Sequence, residues 1–436
     1  MIVMDLEAST QTLRSIGVLL VNTGSPKEPE LPAVERYLDE FLSDSHIMPM
    51  HPFVWKLLVR SRIIPKRKEL VTKRYASIWN YNEKISKQGS PLVLAQDQIA
   101  RKLEEQLSHD ERAANLRIFV RSVINYGEPR IEWIMQEFKN LDLDEIVIFP
   151  TFPQHSYSAS QSCIDHVYTI AESFGLEKKL SCVEDYHVHP AYISALAYSA
   201  FIKGFDESLG DELLLSYHSV PLKHVAQQDN YKEQCEETSK ALSLAMCLEE
   251  DSVHHAYQSV FGKAEKWLGP LTKDCLLNLG KQGKRRIYLM CPGFAFECLE
   301  TLIDIPEMAK SCYQEGYRQY LVEVSNKSAA SREDLPDAQG ASEEESPQDT
   351  VPQESNSRAS KEEDLPGLCY IPCLGNTQLH VQVLKEVLSD HLSLDLLRTS
   401  SSESFCKVYE DFAQNFGSHV PLDKTDTFPA VNVNCD

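Results

Sequence analysis

No segment of this sequence is apolar for long enough to cross a membrane. The longest apolar runs are the size of a β-strand, such as IGVLLV at 16–21, whereas a transmembrane helix needs about 20 apolar residues. The first residues, MIVMDLEASTQTLRS, carry Asp5 and Glu7. They lack the basic stretch followed by an apolar one that marks a signal peptide. These absences predict a cytoplasmic protein.

The sequence also lacks closely paired cysteines. None of its 12 cysteines forms a Cys-x-x-Cys pair. Cys369 and Cys373, the closest pair near the C-terminus, are followed only distantly by Cys406 and Cys435. Because cluster ligands normally repeat at short spacing, an iron–sulfur cluster is disfavoured. We expect reduced thiols, as is usual without an export signal, and no tightly bound cofactor.

Basic residues are scarce overall. The chain of 436 residues contains 43 Lys and Arg against 65 Asp and Glu, which gives a formal net charge of −22 at pH 7. This charge argues against a general nucleic-acid binder, because contacts to phosphates require a basic surface. The length and the 42% hydrophobic content fit a globular protein of two or more domains, each with its own core.

One basic segment is an exception. Residues 46–74, HIMPMHPFVWKLLVRSRIIPKRKELVTKR, hold eight Lys or Arg from Lys56 onward against a single acid, Glu69, with apolar residues interleaved. One interpretation is a peripheral contact with a membrane, in which apolar side chains enter the interface and cations meet anionic lipid. The alternative is an amphipathic helix that packs on its own domain and leaves a basic face in water.

Short continuous apolar runs recur along the chain, and each is followed by a helical stretch. They form two series of four: GVLLVN (17–22), RIFVRSV (117–123), EIVIFPTF (145–152) and LSCVED (180–185), then ELLLSYH (212–218), VHHAYQS (253–259), RIYLMC (286–291) and LCYIPC (368–373). Runs without alternation are typical of strands covered on both faces, as in parallel sheets. Strands that alternate with helices imply βαβ units. The sequence therefore predicts an α/β fold with two similar domains and a cleft between them.

Segments outside this pattern set the predicted domain limits. Residues 325–366 hold eleven acids, four bases and almost no apolar residues. They cannot bury enough surface to offset the entropy of ordering, so we predict a disordered acidic insertion. The predicted division is an extension at 1–15, two α/β halves at 16–185 and 186–324, the insertion at 325–366, a last strand and helix at 367–399, and a flexible tail at 400–436.

Candidate catalytic side chains lie at the carboxyl ends of predicted strands, where ligands bind in open α/β sheets. LLLSYHSVP ends a strand at His218, with Pro221 preventing its continuation, and VNTGSP places Thr23 at the end of the first strand. A lone histidine at a strand end is more often structural. Beside carboxylates from a second element, it makes a site for a divalent metal or for proton transfer.

The segment CPGFAFECLETLIDIPE, residues 291–307, supplies such carboxylates. If it forms a helix behind the Cys-Pro-Gly corner, its four acids lie within an arc of about 80° on an otherwise apolar cylinder. These acids are Glu297, Glu300, Asp304 and Glu307. A narrow acidic stripe on a mostly buried helix suggests a polar path through the protein. The alternative is that Asp304 and Glu307 merely face water near the helix end.

Seven short segments occur in an order that is specific as a set. They are LLVNTGSP, RYLDEFLSD, RYASIW, QGSPL, LLLSYHSVP, YQSVFGKAEKWLGPLT and CPGFAFECLETL. Together they resemble the bacterial type of ferrochelatase, the enzyme that inserts iron into porphyrin in haem synthesis. The resemblance covers about residues 16–320 and resumes at LCYIPCLGNT, without the acidic insertion or the tail. It implies two Rossmann-like, chelatase-type domains, each with a four-stranded parallel sheet flanked by helices, and a porphyrin in the cleft.

The resemblance also implies roles for individual residues. The family's invariant histidine falls on His218 and its essential glutamate on Glu300, as catalytic residues and metal ligands. Its porphyrin-pocket positions fall on Thr23, Tyr75, Ser90, Asn125 and Trp267. The chain departs from some relatives at Asn125, where they carry Arg, and at Cys298, where many carry His or Asp. The three-cysteine C-terminal motif of some relatives is absent as well.

The implied function is insertion of Fe²⁺ into protoporphyrin IX or coproporphyrin III, at the final stage of haem biosynthesis. A neutral imidazole can accept a pyrrole proton or hold the metal, and Fe²⁺ suits mixed nitrogen and oxygen ligands. Glu300 would face the ring, Glu297 would support it, and Asp304 and Glu307 would form the outer part of a path for metal or protons. Two alternatives stay open: a sirohydrochlorin-type chelatase, and a non-catalytic metal-binding α/β protein.

Overall fold

The apolar runs fold as eight strands. The computed structural model describes residues 13–48, 51–79, 89–225, 230–260, 266–333 and 367–394. Within these ranges the strands are β1 (Arg14–Ser25), β2 (Leu116–Gly127), β3 (Glu145–Pro150), β4 (Leu180–Cys182), β5 (Asp211–His218), β6 (Val253–Gln258), β7 (Arg286–Met290) and β8 (Gly367–Ile371). Each predicted run overlaps one of them. The run at 180–185 is strand only over its first three residues, because β4 pairs with β3 there alone.

The strands form two parallel sheets of the same topology. The order is β2-β1-β3-β4 in the first sheet and β6-β5-β7-β8 in the second. In each sheet the first strand in sequence lies between the second and the third, so the carboxyl ends of all four strands share one edge. The predicted fold class, an α/β protein with two four-stranded parallel sheets flanked by helices, is confirmed.

Helices connect the strands and cover the sheets. In the described ranges they are α1 (Leu31–Leu42), α2 (Pro52–Leu58), α3 (Ile64–Ile78), α4 (Pro91–Ser108), α5 (Ile131–Leu141), α6 (Ser162–Phe174), α7 (Pro190–Ile202), α8 (Leu222–Val225), α9 (Tyr231–Ala245), α10 (Thr272–Lys281), α11 (Ile305–Glu333) and α12 (Gln378–His391). None of these helices combines the length and the apolar character that crossing a membrane requires.

Alternate residues of the central strands face two different cores. In β1, Val18 and Leu20 belong to a large core that also contains Leu215 of β5, whereas Leu19 and Val21 face a second core under α5 and α6. The large core joins the two sheets through α4, α7 and α12. The two halves therefore share apolar packing, which holds the carboxyl edges of both sheets in a fixed relation.

Two predicted segment limits need correction. Arg14, which was assigned to the N-terminal extension, already pairs with β2. The acidic insertion was predicted to be disordered from residue 325, but 325–333 continue the helix α11. Helix extension adds one hydrogen bond for each residue fixed, so a long helix propagates into a polar sequence of adequate helix propensity. Residues 1–12, 334–366 and 395–436 lie outside the described residues, and the other domain limits stay predictions.

Candidate active site

The end of β5 places His218 at the edge of the second sheet. His218 is the last residue of the strand and lies opposite Gln258, the last residue of β6. The chain then leaves the sheet: the Ser219 N–H donates to the Gln258 carbonyl at 2.8 Å, and Pro221 forms an isolated bridge with Trp267. The imidazole of His218 is 43% exposed, so it borders open space.

One hydrogen bond defines the tautomer of His218. Its Nδ1 lies 2.7 Å from the carbonyl oxygen of Ser219. A carbonyl oxygen only accepts, so Nδ1 carries the proton and donates. In the neutral ring Nε2 then has a free lone pair, which is the form that accepts a proton or binds a metal.

Glu300 faces that nitrogen from another element. It opens a π-helical turn, Glu300–Asp304, that leads into α11. Its Oε1 lies 3.7 Å from Nε2 of His218, which is too long for a hydrogen bond. A metal with bonds of about 2 Å to nitrogen and oxygen fits between two such atoms. The Ser259 hydroxyl donates to the other oxygen, Oε2, at 2.9 Å.

The acidic segment is not one continuous helix, which corrects the predicted stripe. Residues 291–298 form turns and bends, helical geometry starts at Leu299, and regular α-helix starts only at Ile305. Glu297 is bound both to the next turn and to the region of β8: it accepts from the Thr301 hydroxyl at 2.5 Å, from the Cys373 N–H at 2.8 Å and from the Tyr370 hydroxyl at 3.3 Å. Burial raises the pKa of Glu297 despite these bonds. Glu297 therefore lies before the helix that carries the other three acids, in a supporting position.

The outer two acids have different surroundings. Asp304 is half-buried and forms an ion pair with Arg74 of α3. Burial raises the pKa of Asp304, with Arg74 opposing the shift and Glu300 adding to it. Glu307 is exposed, as the alternative interpretation of the stripe expected.

An aromatic pair borders Glu300 from the first half of the chain. Tyr75 is buried in a small apolar cluster with Leu302, two residues after Glu300. Tyr37 packs edge-on against Tyr75, with ring centroids 6.1 Å apart. Burial raises the pKa of both phenols well above its usual value, so both stay protonated. Tyr37 was not predicted, although it lies in RYLDEFLSD, one of the segments that carried the resemblance.

The other predicted pocket residues lie around the same edges. Trp267 is half-buried, and its indole N–H has no hydrogen-bond partner among the described residues. Thr23 lies near the carboxyl end of β1, half-buried. Ser90 is buried and its carbonyl accepts the Leu94 N–H at 3.0 Å at the start of α4. No side-chain hydrogen bond joins these three residues to His218 within the described part of the chain.

Asn125 belongs to a separate polar pocket of about 570 Å³ at the carboxyl edge of the first sheet. Its amide donates to Ser162 at 3.0 Å, and its oxygen lies 2.6 Å from Nδ1 of His166. The same pocket holds His46 between Asp44 and Asp165, at 2.9 Å from each. The bond from Asp44 raises the pKa of His46 against the opposing effect of burial. Sequence reasoning missed this charged cluster, because it had no reason to pair residues so distant in sequence.

Cys298 carries a neutral thiol beside Glu300. Burial, and then the negative charge of Glu300, raise the pKa of Cys298 to about 12. A thiolate is the form that binds metals, so this side chain is not a ready ligand.

Comparison with known proteins identifies the family. The family model described as ferrochelatase matches residues 15–337. The chain belongs to the ferrochelatase family. It is 35% identical to a ferrochelatase of Yersinia enterocolitica over 298 residues, which cover 68% of this chain and 88% of that one. For a ferrochelatase of Cronobacter sakazakii the identity is 35% over 306 residues, covering 70% and 91%. A ferrochelatase of Vibrio parahaemolyticus is 34% identical over the same length and coverage.

These matches decide among the functions that the sequence left open. The chain is a ferrochelatase that inserts ferrous iron into a porphyrin in haem biosynthesis, as predicted. A solved multi-domain protein of Deinococcus radiodurans, described as structurally similar to chelatases, has a TM-score of 0.39 and 11% identity, covering 89% of this chain and 56% of that one. A likeness at this level carries no argument.

The donor atoms that face each other at this edge of the second sheet are few. Within the described ranges, no group of three or more His, Cys, Asp or Glu side chains is arranged to hold a metal ion. His218 and Glu300 supply one nitrogen and one oxygen.

Proposed function

We propose that His218 and Glu300 form the metal-insertion pair of this ferrochelatase. Insertion breaks two pyrrole N–H bonds and forms bonds from iron to the porphyrin nitrogens, with Fe²⁺ keeping its oxidation state. Two protons must therefore leave. The lone pair on Nε2 of His218 accepts one pyrrole proton, and the Glu300 carboxylate accepts the other, so that both protons have an acceptor while iron binds the porphyrin nitrogens. The observation that carries this proposal is the approach of Glu300 to the unprotonated side of His218.

We propose that the porphyrin lies against Tyr75 and Trp267, above the two sheet edges. Tyr75 packs on Leu302, two residues after Glu300, and the backbone of Trp267 forms a bridge to Pro221, three residues after His218. Large aromatic surfaces suit a flat macrocycle. In this proposal Thr23 and Ser90 complete the pocket from the first half of the chain, and Asn125 contributes from the adjoining polar pocket, where it bonds Ser162 and His166.

The test is turnover of His218→Ala and Glu300→Gln with free-base porphyrin and Fe²⁺ under reducing conditions. Both variants should lose the shift of the porphyrin bands to those of haem, while porphyrin fluorescence titration still shows binding. His109→Ala, at an exposed histidine after α4, is the matched control and should keep full turnover. Near-normal turnover of His218→Ala would remove this residue from the mechanism. Parallel assays with protoporphyrin IX and coproporphyrin III identify the porphyrin.

We further propose that Glu297, Asp304 and Glu307 assist the pair, with Glu297 as a support and the other two as the outer path. Support comes from their order along the chain, from the half-buried and bonded Glu297 to the exposed Glu307. The Arg74 ion pair lies on this path and competes with an arriving cation for Asp304.

We propose a peripheral contact of 46–74 with anionic membrane. Trp55 and Val59 are buried against the domain, but Phe53 is 75% exposed and Leu57 is 63% exposed. Lys56 lies between these two in α2. Exposed apolar side chains beside cations are the pattern of an interfacial helix. Co-sedimentation with vesicles of anionic lipid should decrease for Phe53→Ser/Leu57→Ser, and vesicles of neutral lipid should retain little protein. Equal binding to both kinds of vesicle would contradict the proposal.

We propose that the enzyme has no resident cofactor and takes iron only as a substrate. The purified enzyme should contain far less than one iron per chain and no acid-labile sulfide. One equivalent of tightly held iron, or stoichiometric sulfide, would contradict this.

A further inference from the structure

We propose that Ser259 is a positioning residue that holds the Glu300 carboxylate toward His218. The inference rests on the proposed role of that pair and adds a residue to which the sequence analysis gave no role, although it lies in YQSVFGKAEKWLGPLT. Ser259 follows directly after β6 and donates from its hydroxyl to Oε2 of Glu300 at 2.9 Å.

The second sheet fixes the position of the Ser259 backbone. Gln258 lies opposite His218 in the ladder of β5 and β6, and its carbonyl accepts the N–H of Ser219. Ser259 is therefore attached to the residue that faces His218 across the sheet. The rigid backbone of this ladder connects Ser259 to His218. A group that the Ser259 hydroxyl binds therefore keeps a fixed position relative to the imidazole of His218.

The backbone of Ser259 is in an unfavourable conformation. Its φ is +64°, in the left-handed region that glycine adopts freely and other residues mostly avoid. Such a conformation persists where surrounding structure imposes it, and it is often found at functional sites. At this φ the hydroxyl reaches Glu300, and a glycine there would have no hydroxyl to offer.

The orientation of the Glu300 carboxylate depends on the hydrogen bond from Ser259. Its side chain is 32% exposed and opens a π-helical turn. No other side chain in the described ranges donates a hydrogen bond to its carboxylate. With Oε2 bound by Ser259, the carboxylate cannot rotate freely, and Oε1 stays aimed at His218. A misplacement of about 1 Å at a reacting group can cost a large factor in rate.

The experiment separates the hydroxyl from the backbone. Ser259→Gly removes the hydroxyl and relieves the strained φ, whereas Ser259→Ala removes the hydroxyl and keeps the strain. Both should lower kcat about tenfold, equivalent to about 1.4 kcal/mol, with the KM for porphyrin unchanged. Only Ser259→Gly should also raise the melting temperature, by about 2 °C. Ser259→Asn should recover much of the rate, because Asn tolerates positive φ and its amide can donate.

A matched control is available at the end of α12. Ser393 is an exposed serine with a φ of +53°. Ser393→Gly should raise the melting temperature to a similar extent and leave kcat unchanged. A residue that served stability alone would behave like Ser393, so parental kcat in Ser259→Gly would overturn the proposal.

A double variant tests whether the effect of Ser259 on kcat acts through Glu300. In Glu300→Asp the carboxylate is one methylene shorter, so Ser259 can no longer hold it in the same place. Ser259→Ala should then change kcat by less than twofold, and a further tenfold loss would show that Ser259 acts elsewhere. If Glu300→Gln itself keeps parental turnover, the proposed pair fails. If Glu300→Gln is inactive and Ser259→Gly is not slowed, only the positioning role fails.

Discussion

The ion pair between Arg74 and Asp304 allows the outer path to be tested with two opposite substitutions. Asp304→Asn removes the carboxylate that an arriving Fe²⁺ would meet, whereas Arg74→Gln removes the cation that competes for it. The two side chains are each 35% exposed, and their charged atoms are in contact. For such a partly exposed pair the interaction is about 1 kcal/mol or less. That energy corresponds to about a fivefold change in an equilibrium constant.

The expected changes follow from this magnitude. Asp304→Asn should raise the KM for iron by about fivefold and leave kcat within about twofold, because uniform binding is lost without a change in the chemical step. Arg74→Gln should lower the KM for iron by up to about fivefold, because Asp304 is then unpaired. Glu300→Gln should lose turnover at every iron concentration.

The assay is a set of iron titrations at saturating porphyrin, under reducing conditions and at constant ionic strength. Urea unfolding provides the control, since loss of the pair should cost both variants a similar amount of stability, about 1 kcal/mol or less. An iron KM that rises equally in both variants would mean that the pair only joins α3 to the π-helical turn before α11. If neither variant changes it, Asp304 has no part in metal supply.

Two further predictions concern stability. A Cβ at Gly316 of α11 would lie 2.2 Å from the carbonyl oxygen of Leu277 in α10. Gly316→Ala should therefore lower the free energy of unfolding by about 3 kcal/mol. An increase in the free energy of unfolding, as expected for a helix glycine without close neighbours, would contradict this packing. His187 lies 2.7 Å from both Asp185 and Glu237. Burial opposes the charged form of His187, but these bonds raise its pKa. The stability that the charged His187 contributes is full below the unfolded pKa of about 6.5 and is lost as pH rises through the raised folded pKa. Urea unfolding should therefore show His187→Gln less stable than the parent by about 1 to 2 kcal/mol at pH 6 and nearly equal to it at pH 9, and an equal difference at both pH values would refute this.

The strands were predictable because burial on both faces leaves a direct mark on the sequence. A strand such as β1 must be apolar at consecutive positions, since Val18 and Leu19 enter different cores. That requirement concerns consecutive residues, so it is directly visible in the sequence. Strand ends are local too, which is why His218 could be placed at a sheet edge before its surroundings were known.

The acidic segment was harder, because long-range bonds decide its shape. Helical periodicity put Glu297 in line with Asp304, but the Tyr370 hydroxyl of β8 and the Cys373 N–H just after this strand bind Glu297 from about 70 residues later in the chain. An argument from periodicity considers only residues that are close in sequence, whereas here hydrogen bonds from a distant segment help to position Glu297. The π-helical turn at Glu300 was equally invisible, since it differs from an α-helix only in its hydrogen bonds.

The position of α12 has a consequence for the integrity of the chain. Val381, Val383 and Leu384 of this helix are fully buried in the core that joins the two sheets, and β8 is hydrogen-bonded along β7. A protease cut anywhere in 334–366 would divide the chain into two pieces, yet those contacts would still hold the smaller piece in place. The enzyme is therefore expected to work as a nicked, two-chain assembly. It should also be reconstituted when its N-terminal and C-terminal pieces are produced as separate polypeptides.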